Sequence, residues 1–397
     1  MLSENYNATT ILKQNKAKES DKLNKVFQKV LQSRSRIDEK VKKRVDFSPP
    51  IFLRDDMEII HPFTINVVQG KTGSHKSRLV SHFCSLLIGE SIQEIAGVKK
   101  SPKFTKKVKL LYVDTERNQK DQFPHALQEI KKKAGYKIND DVETLDFISL
   151  IEVSRTNRLS ILKQYLEKVR EESEGMHIFV ILDVVSDCIS NFNNVGESLE
   201  LIDMLNIMIN QFDITFICII HENPGFNSEK ARGHLGTELM NKASCQLQIG
   251  YELNGQNKPT DLIKVRPLKV RVGKAPEPFY LTYCDDFNGL IEANENMIDN
   301  VKQSKKQKAD TEAVKDFVYK HLPPKKKMPL SELSNLLKDY FKCSHNTIRE
   351  RIKRLIETKE IVGYQDGLPY FLSESKEGRE KYYSLKILIE DNQKSMF

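Results

Sequence analysis

Between residues 63 and 253 the chain repeats one pattern of apolar and polar positions. Short runs in which nearly every residue is apolar alternate with longer runs in which apolar residues recur every three or four positions. The first kind predicts strands at 63–69 (FTINVVQ), 107–114 (KVKLLYVD), 145–153 (LDFISLIEV), 177–185 (HIFVILDVV), 214–222 (ITFICIIHE) and 244–253 (SCQLQIGYEL). The second predicts helices near 76–96, 119–134, 158–173 and 197–211. Strands that are apolar on both faces and separated by helices belong to a mostly parallel α/β sheet with helices flanking it. Two more strand-like runs, 261–271 and 278–284, read as antiparallel additions.

Both ends are patterned differently. Residues 1–47 are polar and basic, with Leu23, Val26, Phe27, Val30 and Leu31 at the spacing of one amphipathic helix, closed by Ser48-Pro49-Pro50. The core then occupies 48–299. A lysine-rich linker, 300–310, leads to a small C-terminal domain and tail, 311–397, read as three helices and a hairpin. Ser331 is the expected N-cap of its second helix. In the third, Ile348, Ile352, Leu355 and Ile356 form the stripe to be buried, while Asn346, Thr347, Arg349, Lys353 and Arg354 lie off it. Asp366-Gly367 is a two-residue hairpin turn signal.

Composition narrows the class. No apolar run approaches the roughly 20 residues of a membrane span, and the first residues lack a signal-peptide core. Six scattered cysteines without a CxxC pair argue against a zinc site or a disulfide framework and fit a reducing cytoplasm. The net charge of +8 is uneven: residues 1–45 hold 12 basic and 5 acidic side chains, and residues 301–397 hold 21 and 14. The centre is therefore acidic and the two ends basic, a distribution suited to a catalytic core with appendages facing nucleic acid.

The chemistry lies at strand ends. The stretch VVQGKTGSHKSRLV places Gly70, Lys71, Thr72, Gly73, Ser74, His75, Lys76 and Ser77 between an apolar strand and a helix. That is the setting of a phosphate-binding loop of the G-x-x-x-x-G-K-[ST] type. There the loop N–H groups cradle phosphates, Lys76 reaches the β- and γ-phosphates, and Ser77 ligates Mg2+. His75 stands where the pattern has its second glycine, and a positive φ at that position would be costly for histidine. Downstream, Asp183 ends one strand, Asp114 and Glu116 follow a second, and His221 and Glu222 follow a third. In an open α/β sheet these ends converge on one edge, where ligands bind.

This order of motifs, followed by ARGHLGTELMNKA and LKVRVGKAPEPF, resembles the RecA-like ATPases over about residues 50–285, and within them the RepA- and DnaB-type ring helicases. The resemblance implies ATP and Mg2+ as cofactors, with Ser77 and Asp183 on the metal. It makes Glu116 the residue that polarises the attacking water and His221 the sensor of the γ-phosphate. Lys269 and Arg271 match the K-x-R motif that reaches a neighbouring subunit's site, which implies a homo-oligomer, a hexameric ring in that family. Arg232, and beyond it Lys242, match a further motif whose two serines are His234 and Leu235 here. The C-terminal segment resembles a winged helix-turn-helix, whose third helix would carry Asn346, Thr347, Arg349, Lys353 and Arg354 to DNA. Together these imply a cytoplasmic DNA-binding P-loop ATPase, a helicase in the replication or mobilisation of a plasmid, phage or mobile element. Two alternatives stand beside it: an ATP-dependent transposition, excision or recombination factor that does not unwind, and a non-enzymatic regulator switched by ATP.

Overall fold

The computed structural model describes residues 2–224, 230–254, 258–306, 309–341, 343–378 and 380–388. The chain divides into two compact units, residues 1–49 and 50–397. The first is one long helix, α1 (Leu2–Val41), on which Leu23, Val26, Phe27, Val30 and Leu31 are exposed. Among the described residues no helix is long and apolar enough to cross a membrane.

The second unit opens with strands β1 (Phe52–Arg54), β2 (Met57–Ile60) and β3 (Ile65–Gly70), then α2 (Lys76–Ile88). After β4 (Glu94–Ile95) and β5 (Val98–Lys100) come β6 (Val108–Asp114), α3 (Gln122–Lys133), β7 (Leu145–Ser149), α4 (Arg155–Glu172) and β8 (His177–Asp183). A 3-10 turn leads to α5 (Val195–Phe212), β9 (Ile214–His221), α6 (Gly233–Lys242) and β10 (Cys245–Leu253). The core ends with β11 (Pro259–Val270), β12 (Phe279–Cys284), β13 (Gly289–Glu292) and α7 (Glu295–Lys306).

Nine strands form the central sheet, in the order β13-β12-β11-β10-β3-β9-β8-β6-β7. From β10 to β7 all neighbours are parallel, and β11 to β13 are added antiparallel. The strands are apolar on both faces because both faces are covered. Along β8, Phe179 and Ile181 pack with α2, α3 and a small sheet of order β2-β1-β5-β4, while Ile178, Val180 and Leu182 pack with α4, α5 and α6. Leu110 and Tyr112 of β6 face the first layer and Leu111 and Val113 the second. The mostly parallel α/β sheet with flanking helices expected from the pattern is therefore present.

Boundaries shift where local chemistry intervenes. The helix expected to 96 stops at Ile88, because Gly89 turns extended and lies against the Ser85 carbonyl. The remainder folds as the β4–β5 hairpin around Ala96 and Gly97, both at positive φ. The lysine-rich segment at 300–310 is helical as far as Lys306. Beyond it, α8 (Thr311–His321), β14 (Lys327–Pro329), α9 (Leu330–Phe341), α10 (His345–Thr358), β15 (Ile361–Gln365), β16 (Leu368–Glu377) and β17 (Glu380–Ile387) form their own sheet, β14-β17-β16-β15, and their own core. Ile348, Ile352 and Leu355 are buried there, with Ile356 partly so. Ser331 does not cap α9, which already begins at Leu330 behind Pro329. The serine cap belongs to α10, where Ser344 accepts from the Thr347 N–H at 3.2 Å. Asp366 and Gly367 turn the β15–β16 hairpin at φ 52° and 76°. The tail from 389 lies outside the described residues.

Candidate nucleotide site

Register brings the strand ends together. β9 lies between β3 and β8, so His221 is opposite Gly70, and Asp114 of β6 is opposite Asp183 of β8. A cleft of about 710 Å3 opens at this edge, within the range of small-ligand sites. Its lining includes Thr72 to Ser77, Glu116, Arg117, Asp183 and His221.

The loop is built around its glycines. A Cβ on Gly70 would lie 2.3 Å from the Ile249 carbonyl oxygen, so no side chain fits where β3 passes β10. Gly73 sits at φ 76° and His75 at φ 67°. The left-handed conformation that the sequence marks as costly for His75 is therefore adopted, at about 1–2 kcal/mol. Specific partners offset it. The His75 ring lies 2.6 Å from the Tyr251 hydroxyl through Nε2 and accepts from Arg78 at 2.9 Å through Nδ1. It stacks on Tyr283 at 5.9 Å, and the Arg78 guanidinium covers the same tyrosine ring at 4.7 Å. Arginine can only donate, so Nδ1 accepts and the proton sits on Nε2. Burial, then Arg78, push the His75 pKa down.

Lys76 opens α2 and folds back over the loop. Its ammonium donates to the Gly70 and Lys71 carbonyls at 3.0 and 2.8 Å and to His221 Nδ1 at 3.2 Å. Burial lowers the Lys76 pKa, and Asp183, Glu116 and Glu222 oppose that shift. With Nδ1 accepting, His221 keeps its proton on Nε2. Burial and the cations Lys76 and Arg232 hold it neutral. Ser74 Oγ is buried without a partner, an orphaned polar atom inside the loop. Lys71, Thr72 and Gly73 form its exposed rim, and Ser77 is half-buried on the first turn of α2.

The acids differ in state. Glu116 opens to the cleft, and its pKa is raised by partial desolvation and then by Asp183. Asp183 is buried and accepts on Oδ2 from the Tyr112 hydroxyl and from Arg117, both at 2.8 Å. Asp114 is fully buried. Its Oδ1 accepts from the N–H groups of Glu116 and Arg117 at 3.0 and 2.7 Å, so it shapes the turn that carries Glu116. Glu222 is buried and accepts from Gln69 at 2.8 Å and Gln248 at 2.6 Å. Ser77 and Asp183 fit the few protein ligands that Mg2+ takes beside phosphate and water, since both line the cleft.

Not every expected residue lines the cleft. Arg232 is exposed at the start of α6, with its guanidinium 4.6 Å over Phe192 and its N–H on the His221 carbonyl. Lys269 donates to the Met240 and Asn241 carbonyls and Arg271 to that of Asn241, a cationic cap on the C-terminus of α6. The Arg271 N–H bonds the Ser244 carbonyl and the Ser244 N–H bonds that of Ile65, at the start of β3. Gly70 is five residues along that strand, about 17 Å away. One chain thus does not bring Lys269 and Arg271 to its own loop. Sequence reasoning missed Arg117, Tyr112, Tyr251 and Tyr283, although "TER" beside Glu116 was a local cue for the first.

No family model and no curated protein matches this chain. Among solved structures it is similar to the crystal structure of the RadB recombinase, with 13% sequence identity and a TM-score of 0.39, covering 59% of this chain and 92% of that one.

On α10, Asn346, Arg349, Lys353 and Arg354 are exposed and Thr347 is half-buried. Their ion pairs are loose: Lys353 to Glu357 at 3.6 Å and Arg354 to Glu360 at 3.7 Å.

Proposed function

We propose that the protein is a DNA-dependent P-loop ATPase, a ring helicase serving the replication or mobilisation of a mobile genetic element. The observation that carries the reading is the meeting of Lys76, Glu116, Asp183 and His221 around one cleft at the carboxyl edge of the sheet. Mg2+ held by Ser77 and Asp183 would neutralise charge between the β- and γ-phosphates. Lys76 exchanges the carbonyls of Gly70 and Lys71 for the phosphates. Glu116, accessible and with a raised pKa, orients the attacking water. His221, neutral and with Nε2–H available, donates to the γ-phosphate and reports its loss along β9. Arg232 contributes to the same field from the start of α6. Lys269 and Arg271 act on the site of a neighbouring copy in a ring.

The C-terminal segment is read as a winged helix-turn-helix that docks α10 on DNA. Its order of elements, its separate core and the exposed basic residues of α10 support that reading. The test is ATP turnover with and without single-stranded DNA, alongside displacement of a labelled strand from a fork. Turnover stimulated by DNA together with displacement is expected. Stimulation without displacement would make the protein a remodeller or recombination factor, and no turnover at all would leave a nucleotide-switched binder.

A further inference from the structure

Arg117 holds three parts of the cleft together, and neither the loop nor the strand-end acids require it by their own pattern. Strand register puts Asp114 beside Asp183, and both are buried between β6 and β8. Two adjacent buried carboxylates repel, and a cation between them offsets that cost. Arg117 supplies that cation. One arm of its guanidinium, Nη1, bonds Asp114 Oδ2, and the other, Nη2, bonds Asp183 Oδ2 at 2.8 Å. Tyr112 completes the set through its hydroxyl on the same Asp183 oxygen. The fork is mostly buried, with side-chain exposure of 21% for Arg117 against 0% and 4% for its two acids. The same Asp114 accepts the backbone N–H groups of Glu116 and Arg117 through its other oxygen.

We propose that Arg117, acting with Asp114, is a positioning residue that sets the distance and orientation of Glu116 relative to Asp183. The inference rests on the ATPase reading above. In it, Glu116 directs water and Asp183 faces the metal, and one guanidinium fork ties both to a fixed frame. A lysine cannot replace that fork, because a single ammonium does not present two parallel donors to two carboxylates.

The experiment compares wild type with Arg117→Ala, Arg117→Lys and Asp114→Asn in the full chain. Turnover is resolved into kcat and KM. Equilibrium binding of a fluorescent ATP analogue is measured once with Mg2+ and once with EDTA, and thermal unfolding checks the fold. Arg117→Ala is expected to lower kcat by about 100-fold, the scale of a misplaced reactive group, with KM rising only as far as Mg2+-dependent binding weakens. Binding in EDTA should stay at the wild-type level, while the tightening that Mg2+ brings should shrink. Arg117→Lys should recover part of the Mg2+-dependent binding and little of kcat. Wild-type kcat and Mg2+ dependence in a folded Arg117→Ala protein would overturn the proposal. Equal loss of binding in EDTA and in Mg2+ would also overturn it, making Arg117 a strut of the fold. Absence of turnover in wild type would refute the ATPase reading instead, and the binding comparison would still decide the role of Arg117.

Discussion

His75 carries a conformation that a glycine would adopt at no cost, and its ring is what returns the energy. Its partners Tyr251, Tyr283 and Arg78 come from β10, β12 and α2. Two substitutions separate the terms. His75→Gly removes both the strain and the ring's interactions, whereas His75→Ala removes the interactions and keeps the strain. The alanine protein should therefore be less stable than the glycine protein by about 1–2 kcal/mol in urea unfolding. Equal stabilities would mean that the loop does not hold a positive φ in solution. At the neighbouring position, Lys76→Ala should abolish ATP turnover, since it removes the ammonium folded over the loop carbonyls. Glu116→Gln should stop hydrolysis and leave nucleotide binding nearly intact, as it removes water activation alone. Hydrolysis at the wild-type rate in the glutamine protein would reassign the base. At this scale the loop was legible because its residues are contiguous. Tyr251 and Tyr283 were not, because their role exists only once β10, β11 and β12 are laid side by side beyond β3.

Helix α2 carries a second consequence of close packing. His82 is 1% exposed, and neither ring nitrogen has a partner among the described residues. Burial, and then Lys133, lower its pKa to about 3. His177 at the start of β8 is lowered to about 3 as well, by burial and then Lys106 and Arg170. The unfolded chain takes up these protons near pH 6.5 and the folded chain only near 3, so the unfolded state binds more protons between those values. The stabilising contribution is complete above about pH 6.5 and is lost as the pH falls toward 3, by at most roughly 5 kcal/mol for each ring. His82→Leu should therefore flatten the fall of Tm between about pH 7 and about pH 5 and change stability little at about pH 7.5. An unchanged slope would remove His82 from the acid response. The element pattern itself read well for β3, β6, β8 and β9, where burial on both faces leaves a continuous apolar run. It read poorly after Ile88, where SIQEIAGVKK has apolar spacing open to either period. The hairpin there is decided by Gly89 and by the turn at Ala96-Gly97.

In the whole molecule, the basic ends and the acidic centre visible in the sequence separate two tasks. In the proposed function the core presents its strand ends to a nucleotide, and the C-terminal segment presents α10 to DNA. Replacing Arg349, Lys353 and Arg354 together with alanine should leave folding intact, since all three lie off the buried stripe. Duplex affinity should fall, and the slope of log affinity against log salt should flatten by up to about 0.9 for each phosphate no longer neutralised. Fluorescence anisotropy over a salt series, with single-stranded DNA in parallel, reads both effects. Unchanged duplex binding would make this segment a protein-docking module. The charge asymmetry in the composition is what suggested such a division of labour, and the salt series is its test. The position of Arg271 did not follow from sequence, because it depends on how β11 runs back along β10.

Under the proposed function, that position alters the rate law. If Arg271 serves the loop of a neighbouring copy, a solitary chain, with Arg271 level with the start of β3 and Gly70 at the far end of the same strand, holds half of a reaction centre. Specific activity is then not a constant of the protein. Doubling its concentration in the dilute range should more than double the ATP consumed, until every loop has a neighbour and the dependence becomes linear. A DNA strand long enough to gather several copies should move that transition to lower concentration without changing the plateau.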